Sequence, residues 1–351
     1  MQSQFFCHNH SKLKMLALPL VFSFCSVFTA CSQSHEEDSE NYSMHHFEIK
    51  RKANETPIFA SISYSKKDKD GKSQIPLALF LHGAGCASTK HIHLPSLKYF
   101  EGTPMGVLTV DKPGAHQGWA EMLSLIYCKK EFNLQNHPSE RAASVIYALQ
   151  KLRDLAPVWN GDLYVIGSHE GGIAASLVAQ KVPVKGLVLV GIGEGFPGSE
   201  AFSELSKCML SKSACESKEI LGKLSEMENL APHVPVKIKG ISGTNNWWKE
   251  MLSLKTSEQL AQIDTPVLIV HGEKDPTVLA NSAKMLHEKL DKNSPKSVDL
   301  KIYEGLDGNF MDENKRSQKH QVQLDITSWI KDLSLSMGPE SLRKVNGEEN
   351  L

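Results

Sequence analysis

"YVIGSHEGG", residues Tyr164 to Gly172, decides how this chain is read. The apolar run "DLYVI" leads into its turn and the small-residue run "IAASLVAQK" leads out, so the stretch predicts a strand, a sharp turn and a helix. His169 stands at the tip, with Ser168 one residue before it.

Outward from this bend, strand-like runs recur as "FEIKR", "IFASISYS", "PLALFLH", "GVLTVD", "LYVIG", "GLVLVGIG", "PVLIVHG" and "VDLKIYEG". The later ones are short, continuously apolar and bounded by Gly, Pro or Asp, as strands buried on both faces of a parallel sheet are. Helical patterns lie between them. The clearest is "SERAASVIYALQKLRDLA", with an apolar stripe at Ala143, Ile146, Leu149 and Leu152, opening after Pro138 with Ser139 as N-cap. Others are "GIAASLVAQK", "LANSAKMLHEKL" and "QVQLDITSWIKDL". This alternation predicts a doubly wound, mostly parallel eight-stranded α/β sheet. From about 199 to 248 it is broken by a mostly helical, polar insertion, read as a small helical cap on one domain spanning 46–335.

Bulk properties exclude little else. The chain has 351 residues, with 39 Lys plus Arg against 40 Asp plus Glu, a net charge of −1. No basic excess suggests a nucleic-acid partner. The terminal stretch 336–351 is polar and without period, and reads as a disordered tail.

The N-terminus carries an export pattern. Lys12 and Lys14 precede the uncharged apolar run "MLALPLVFSFCSVFTA", which is shorter than the roughly 20 residues of a spanning helix. Residues 1–30 are therefore an export signal; the alternative is an uncleaved anchor. "FTAC" resembles a bacterial lipobox, which implies that Cys31 becomes a lipidated first residue and that the protein is tethered to the cell-envelope membrane, facing periplasm or exterior. Residues 31–45, with the polar run "SQSHEEDSENYS", would form the tether. Of seven cysteines, Cys86, Cys128, Cys208 and Cys215 remain beyond the leader. In an oxidising compartment they permit two bridges, Cys86 with Cys128 and Cys208 with Cys215 being the expected pairing; buried free thiols are the alternative.

Five signposts, the bend among them, occur in order. "LFLHGAGC" is a strand followed by a Gly-rich loop, "LTVDKPGAHQG" a strand followed by an Asp-x-x-Gly turn, and "YVIGSHEGG" the bend. "NNWWKEMLSLKTSEQLAQIDTPVLIVHGEKDPTV" and "IYEGLDGNFMD" complete the series. Together they resemble the α/β-hydrolase superfamily, nearest to dienelactone-hydrolase and prolyl-oligopeptidase-like serine hydrolases. That resemblance implies a nucleophile–acid–histidine triad in this chain order and an oxyanion hole. The oxyanion donors would be backbone N–H groups at Glu170 and near Ala84. The acid would be Asp275.

Two members of the triad are replaced. The nucleophile slot holds His169, with Ser168 displaced by one residue, and the slot of the family's histidine holds Gly308. His82, His116 and His320 are the nearest substitutes for the base. In subtilisin, losing the serine or the histidine of such a triad costs about 10⁶-fold in rate. The reading is therefore an exported, lipid-anchored, non-catalytic member of this fold that binds a ligand or partner. The alternative is an ester, thioester or peptide hydrolase using Ser168 or His169 with Asp275. His82, Trp247 and Trp248 are candidate ligand-pocket residues, the two tryptophans equally readable as core where the cap rejoins the sheet. The histidine pairs His45/His46 and His91/His93 lack partners at ligand spacing, so no metal is expected, and no cofactor.

Overall fold

Leu77, Leu79 and Leu81 lie in one apolar cluster, while Ala78 between them lies in another. The same division holds for Leu163 and Val165 against Tyr164 and Ile166, and for Val267 and Ile269 against Leu268 and Val270. Side chains alternate across a strand, so a continuously apolar run means a sheet covered on both sides. The computed structural model describes residues 41–52, 55–69, 74–83, 85–89, 96–115, 128, 130–194, 218–238, 241–293 and 297–336, plus the backbone of Gln4–Phe5 and Gln33–Asp38.

The sheet is built from β1 (Tyr42–Ile49), β2 (Ile58–Ser65), β3 (Ile75–Leu81), β4 (Gly106–Val110), β5 (Trp159–Ser168), β6 (Gly186–Val190), β7 (Val267–Gly272) and β8 (Val298–Tyr303). Their spatial order is β1-β2-β4-β3-β5-β6-β7-β8. β1, β2 and β4 pair antiparallel, and every pairing from β4 to β8 is parallel. The expected doubly wound, mostly parallel sheet is the one observed. The backbone of Gln33–Asp38, inside the expected tether, adds antiparallel to the outer edge of β1.

The helices are α1 (Lys130–Gln135), α2 (Pro138–Leu155), α3 (Glu170–Ala179), α4 (Lys218–Asn229), α5 (Asn245–Ser253), α6 (Thr256–Leu260), α7 (Ala280–Asn293) and α8 (Lys319–Ser336). Residues of α2, α3 and α7 share the cluster on one sheet face, and Val322, Ile326 and Ile330 of α8 cover the other. No helix among the described residues is long and apolar enough to cross a membrane.

Two local expectations are corrected on α2. Its buried stripe holds the expected Leu149 and Leu152 but otherwise runs through Ala142, Val145 and Ala148, whereas Ala143 is exposed and Ile146 half-buried. Arg141 and Ser144 are buried as well, so the buried face of the first half of the helix is shifted by one residue. Nor is Ser139 the N-cap. The helix begins at Pro138, and the Ser139 N–H donates to Glu250 Oε2 of α5 at 2.8 Å. Glu250 Oε1 also lies 2.7 Å from His137 Nδ1, so one carboxylate from over a hundred residues away closes this helix start. Pro at the first position suits such an arrangement, since it has no N–H to satisfy.

The stretch from about 199 to 248, expected to be a helical cap, is described in part. α4 is helical as anticipated, but Pro235–Ile238 and Ile241–Thr244 form a two-stranded antiparallel hairpin within the stretch read as helical. Residues 195–217 and 239–240, and the tail beyond Ser336, lie outside the described residues.

Candidate active site

His169, His271, Asp275 and Gly308 gather where β5, β7 and β8 end, the edge at which open α/β sheets bind ligands. β5 ends at Ser168, and α3 begins at Glu170. Between them His169 adopts φ 49°, ψ −120°, a strained conformation for a residue with a side chain. The bend is pinned on both sides: the His169 N–H donates to Val190 O at 2.8 Å, and the Gly172 N–H to His169 O at 2.9 Å. A methyl group on Gly171 would lie 2.0 Å from Leu81 O, so only glycine lets the helix start dock on the end of β3. The expected strand–turn–helix is thus observed, with His169 at its tip.

The tip side chain is an imidazole. Its ring packs between two glycines: a methyl on Gly191 would lie 2.5 Å from Cε1 and 2.7 Å from Nδ1, and one on Gly83 would lie 3.4 Å from Cβ. Among the described residues, no carboxylate pairs with this ring. Ser168 is the last residue of β5, in register with Val190, and successive residues of a strand project to opposite faces.

Asp275 follows β7 in a tight turn and is 3% exposed. Its Oδ1 accepts the N–H groups of Thr277 at 2.7 Å and Val278 at 3.0 Å. Its Oδ2 is buried without a partner among the described residues. Gly308 sits directly against it: a methyl there would lie 2.5 Å from Oδ2 and 2.6 Å from Cγ. The loop carrying Gly308 is held firmly. Lys274 N–H donates to Leu306 O at 2.8 Å, Gly305 N–H to Glu273 Oε2 at 2.8 Å, and Asp307 Oδ1 accepts from Asn309 and Met311. The Met311 N–H leads in holding the Asp307 carboxyl below its ordinary range. The structure therefore brings the expected acid and the expected histidine slot together, and that slot is empty of an imidazole.

Sequence reasoning passed over His271, the fifth residue of β7. It is fully buried, and its Nε2 lies 2.8 Å from Val278 O, an acceptor, so Nε2 carries the proton. Nδ1 is then a bare, buried lone pair without a partner among the described residues. Burial first, opposed by the Val278 bond and Asp275, lowers its pKa, and His169 lowers it further. Its place inside an apolar strand was the available signal.

A charged cluster beside the bend was missed as well. The Lys112 side chain is wholly buried, with Nζ 3.4 Å from Glu170 Oε1. Arg141, 2% exposed, brings Nη2 to 3.5 Å from His82 Nδ1. Burial pulls the Lys112 ammonium down to about 8 and the Arg141 guanidinium down to about 10, the Glu170 carboxylate opposing both shifts. Burial, then Arg141 and Lys112, hold His82 neutral, well below its ordinary pKa. As first residue of α3, Glu170 has a backbone N–H with no intrahelical acceptor, which suits an oxyanion donor. Ala84, the other expected donor region, lies outside the described residues, as do Cys31, His91, His93, His116, Cys208 and Cys215.

Other expected residues find their places. Cys86 and Cys128 form a disulfide, tying the Gly-rich loop after β3 to the segment before α1. Trp248 is fully buried and donates to Val236 O at 3.1 Å, and Trp247 packs edge-on against it at 5.1 Å. Both sit in the main core, the second of their two readings. His320 is exposed on α8. His45 and His46 bond to Ser43, Tyr64 and Ser61, and no metal-binding cluster occurs among the described residues.

The sheet order, the strained bend and the acid turn define an α/β-hydrolase fold. The model of the dienelactone hydrolase family matches residues 235–334, a stretch that holds Asp275 and Gly308 but not the bend at His169. No curated protein sequence matches the chain. Among solved structures, Est1E from Butyrivibrio proteoclasticus with ferulic acid bound is similar at 14% identity and a TM-score of 0.54, covering 80% of this chain and 96% of its own. The acetyl xylan esterase from Paenibacillus sp. R4 is similar at 13% identity and 0.53, covering 88% and 89%. The Pyrococcus horikoshii acylaminoacyl peptidase is similar at 12% identity and 0.53, over 83% of this chain and 41% of its own. At these identities the likeness is one of fold.

Proposed function

We propose that this chain is an exported, lipid-anchored α/β-hydrolase-fold protein that binds a small-molecule or peptide ligand, or a partner, without turning it over. One observation carries the reading: the Asp275 carboxylate fills the space in which a histidine at 308 would begin. With no imidazole there, a triad lacks the base that would take a proton from a nucleophile at the bend. The bend itself offers a ring in place of an alcohol. A neutral imidazole can form an acyl-imidazole, yet it is hard to acylate from unactivated esters without a second base. The oxyanion donor at Glu170 remains. In subtilisin stripped of its triad, however, what survives is only about 10³ to 10⁴ over water, against about 10⁶ lost.

Export is supported by the basic and apolar leader and by the Cys86–Cys128 bridge, a bond that persists in oxidising compartments. Lipidation at Cys31 is supported by "FTAC", and mass spectrometry of the mature N-terminus tests it.

Incubation of the purified protein with a fluorophosphonate probe and p-nitrophenyl esters tests the central claim. No adduct and no turnover above buffer are expected. Turnover abolished by His169→Ala, or a phosphonate on Ser168, would instead establish the active-hydrolase alternative, which the strained bend and the Glu170 N–H favour.

A further inference from the structure

The buried groups around the Lys112–Glu170 pair do not balance. Arg141 Nε and Nη1 are buried with no acceptor among the described residues, and His82 Nε2 is buried without a partner there. A guanidinium only donates, so His82 Nδ1 must accept from Arg141 and Nε2 must carry the ring proton. Three N–H-bearing atoms therefore lack acceptors within one cluster. Charge tells the same story. Among the described residues Glu170 is the carboxylate that acts on both Lys112 and Arg141, so two cations there face one anion and one positive charge is left over. Leaving such groups unmatched in a low-dielectric interior is costly unless an anion joins them. Glu140, the neighbour of Arg141 on α2, is already engaged by Arg51 at 2.7 Å.

We propose that Arg141, Lys112 and His82 form a binding site for the carboxylate group of a small monoanionic ligand, beside the bend at His169. Resting on the non-catalytic reading above, this gives the ligand its chemical class. A single negative charge neutralises the cluster, which a dianion would over-compensate. The planar guanidinium, with free N–H groups and a fixed position, suits the planar carboxylate. Glu170 connects the cluster to the bend, because its side chain meets Lys112 while its backbone begins α3.

Butyrate, with neutral butyramide as its isostere, is the probe. Titrated into purified full-length protein at constant ionic strength, butyrate is expected to raise the unfolding midpoint saturably, and butyramide to leave it unmoved. Arg141→Gln should weaken the butyrate response about tenfold or more, the scale of one lost charge-assisted hydrogen bond. Lys112→Met should weaken it too, whereas Glu170→Gln should strengthen it by removing the competing anion. Opposite signs from neighbouring residues are not what a merely structural cluster gives. Equal responses to butyrate and butyramide, or none to butyrate, overturn the site. Should Arg141→Gln fail to fold, unchanged responses in the Lys112 and Glu170 variants overturn it equally. Ester turnover measured on the same preparation separates the two claims. Turnover with butyrate binding rejects the non-catalytic reading and keeps the carboxylate site; neither turnover nor binding does the reverse.

Discussion

Gly308 stands against the Asp275 carboxylate so closely that a methyl group on its α-carbon would lie 2.5 Å from Oδ2. Asp275 has little freedom to withdraw, because two backbone N–H groups hold its Oδ1. Gly308→Ala is therefore expected to destabilise the protein by about 1–3 kcal/mol, the range of overpacked cores. Urea unfolding checks this; an unchanged midpoint would mean that the carboxylate yields freely.

The His169 ring and Gly191 should be energetically coupled. Gly191 has φ 64° and its missing methyl would meet the ring at 2.5 Å, so Gly191→Ala should be costly by strain and by collision. In a His169→Ser background the collision disappears and only the strain remains. A double-mutant cycle should give a coupling of about 0.5–3 kcal/mol, and additive effects would place the ring elsewhere.

What was legible in the sequence, and what was not, follows from how far apart the interacting residues lie. The bend at His169, the acid turn at Asp275 and the slot at Gly308 each announce themselves in a few consecutive residues, and each is where local pattern places it. The Lys112–Glu170–Arg141 cluster draws on the end of β4, the start of α3 and the start of α2, and no local pattern joins them. The capping of α2 by Glu250 escapes for the same reason: local pattern offers a neighbouring serine, while the acceptor comes from another element. The shift in the first half of the α2 stripe goes with the burial of Arg141, which contradicts its polarity and shows only in three dimensions.

Alkaline conditions should stabilise this fold up to a limit. The Lys112 ammonium falls from its ordinary 10.5 to about 8, chiefly by burial. Between these values the unfolded chain holds a proton that the folded chain has released, so rising pH favours folding, by up to about 3 kcal/mol across the window. Unfolding free energy should rise from pH 7.5 to 9.5 in the wild type and rise less in Lys112→Met. A flat wild-type profile would contradict the buried ammonium.

Acid should act through Glu250. Burial pushes its carboxyl up, but the bonds from His137 and Ser139 outweigh that and hold it below its ordinary value. The folded chain then binds a proton less readily than the unfolded one. Its contribution is present above the unfolded pKa and is lost as pH falls through the lower, folded one. Glu250→Gln should cost about 0.5–2 kcal/mol at pH 7, as lost caps do, and the penalty should shrink at low pH. Thermal unfolding at pH 7 and pH 3 of both proteins reads the difference.

Reduction should loosen the segment around β4. The Cys86–Cys128 bridge joins residues 42 apart, for which chain entropy predicts about 4 kcal/mol. Cys86→Ser should lower the unfolding midpoint, and dithiothreitol should then have a smaller effect on the variant than on the wild type.

The ring lodged between Gly83 and Gly191 and the carboxylate lodged against Gly308 make positions 169 and 308 interlocked with their surroundings. A smaller side chain at 169 would leave a hollow between the two glycines, and any side chain at 308 alone would collide with Asp275. Neither position is free to drift by itself, so change at either is expected to arrive only with a compensating change beside it.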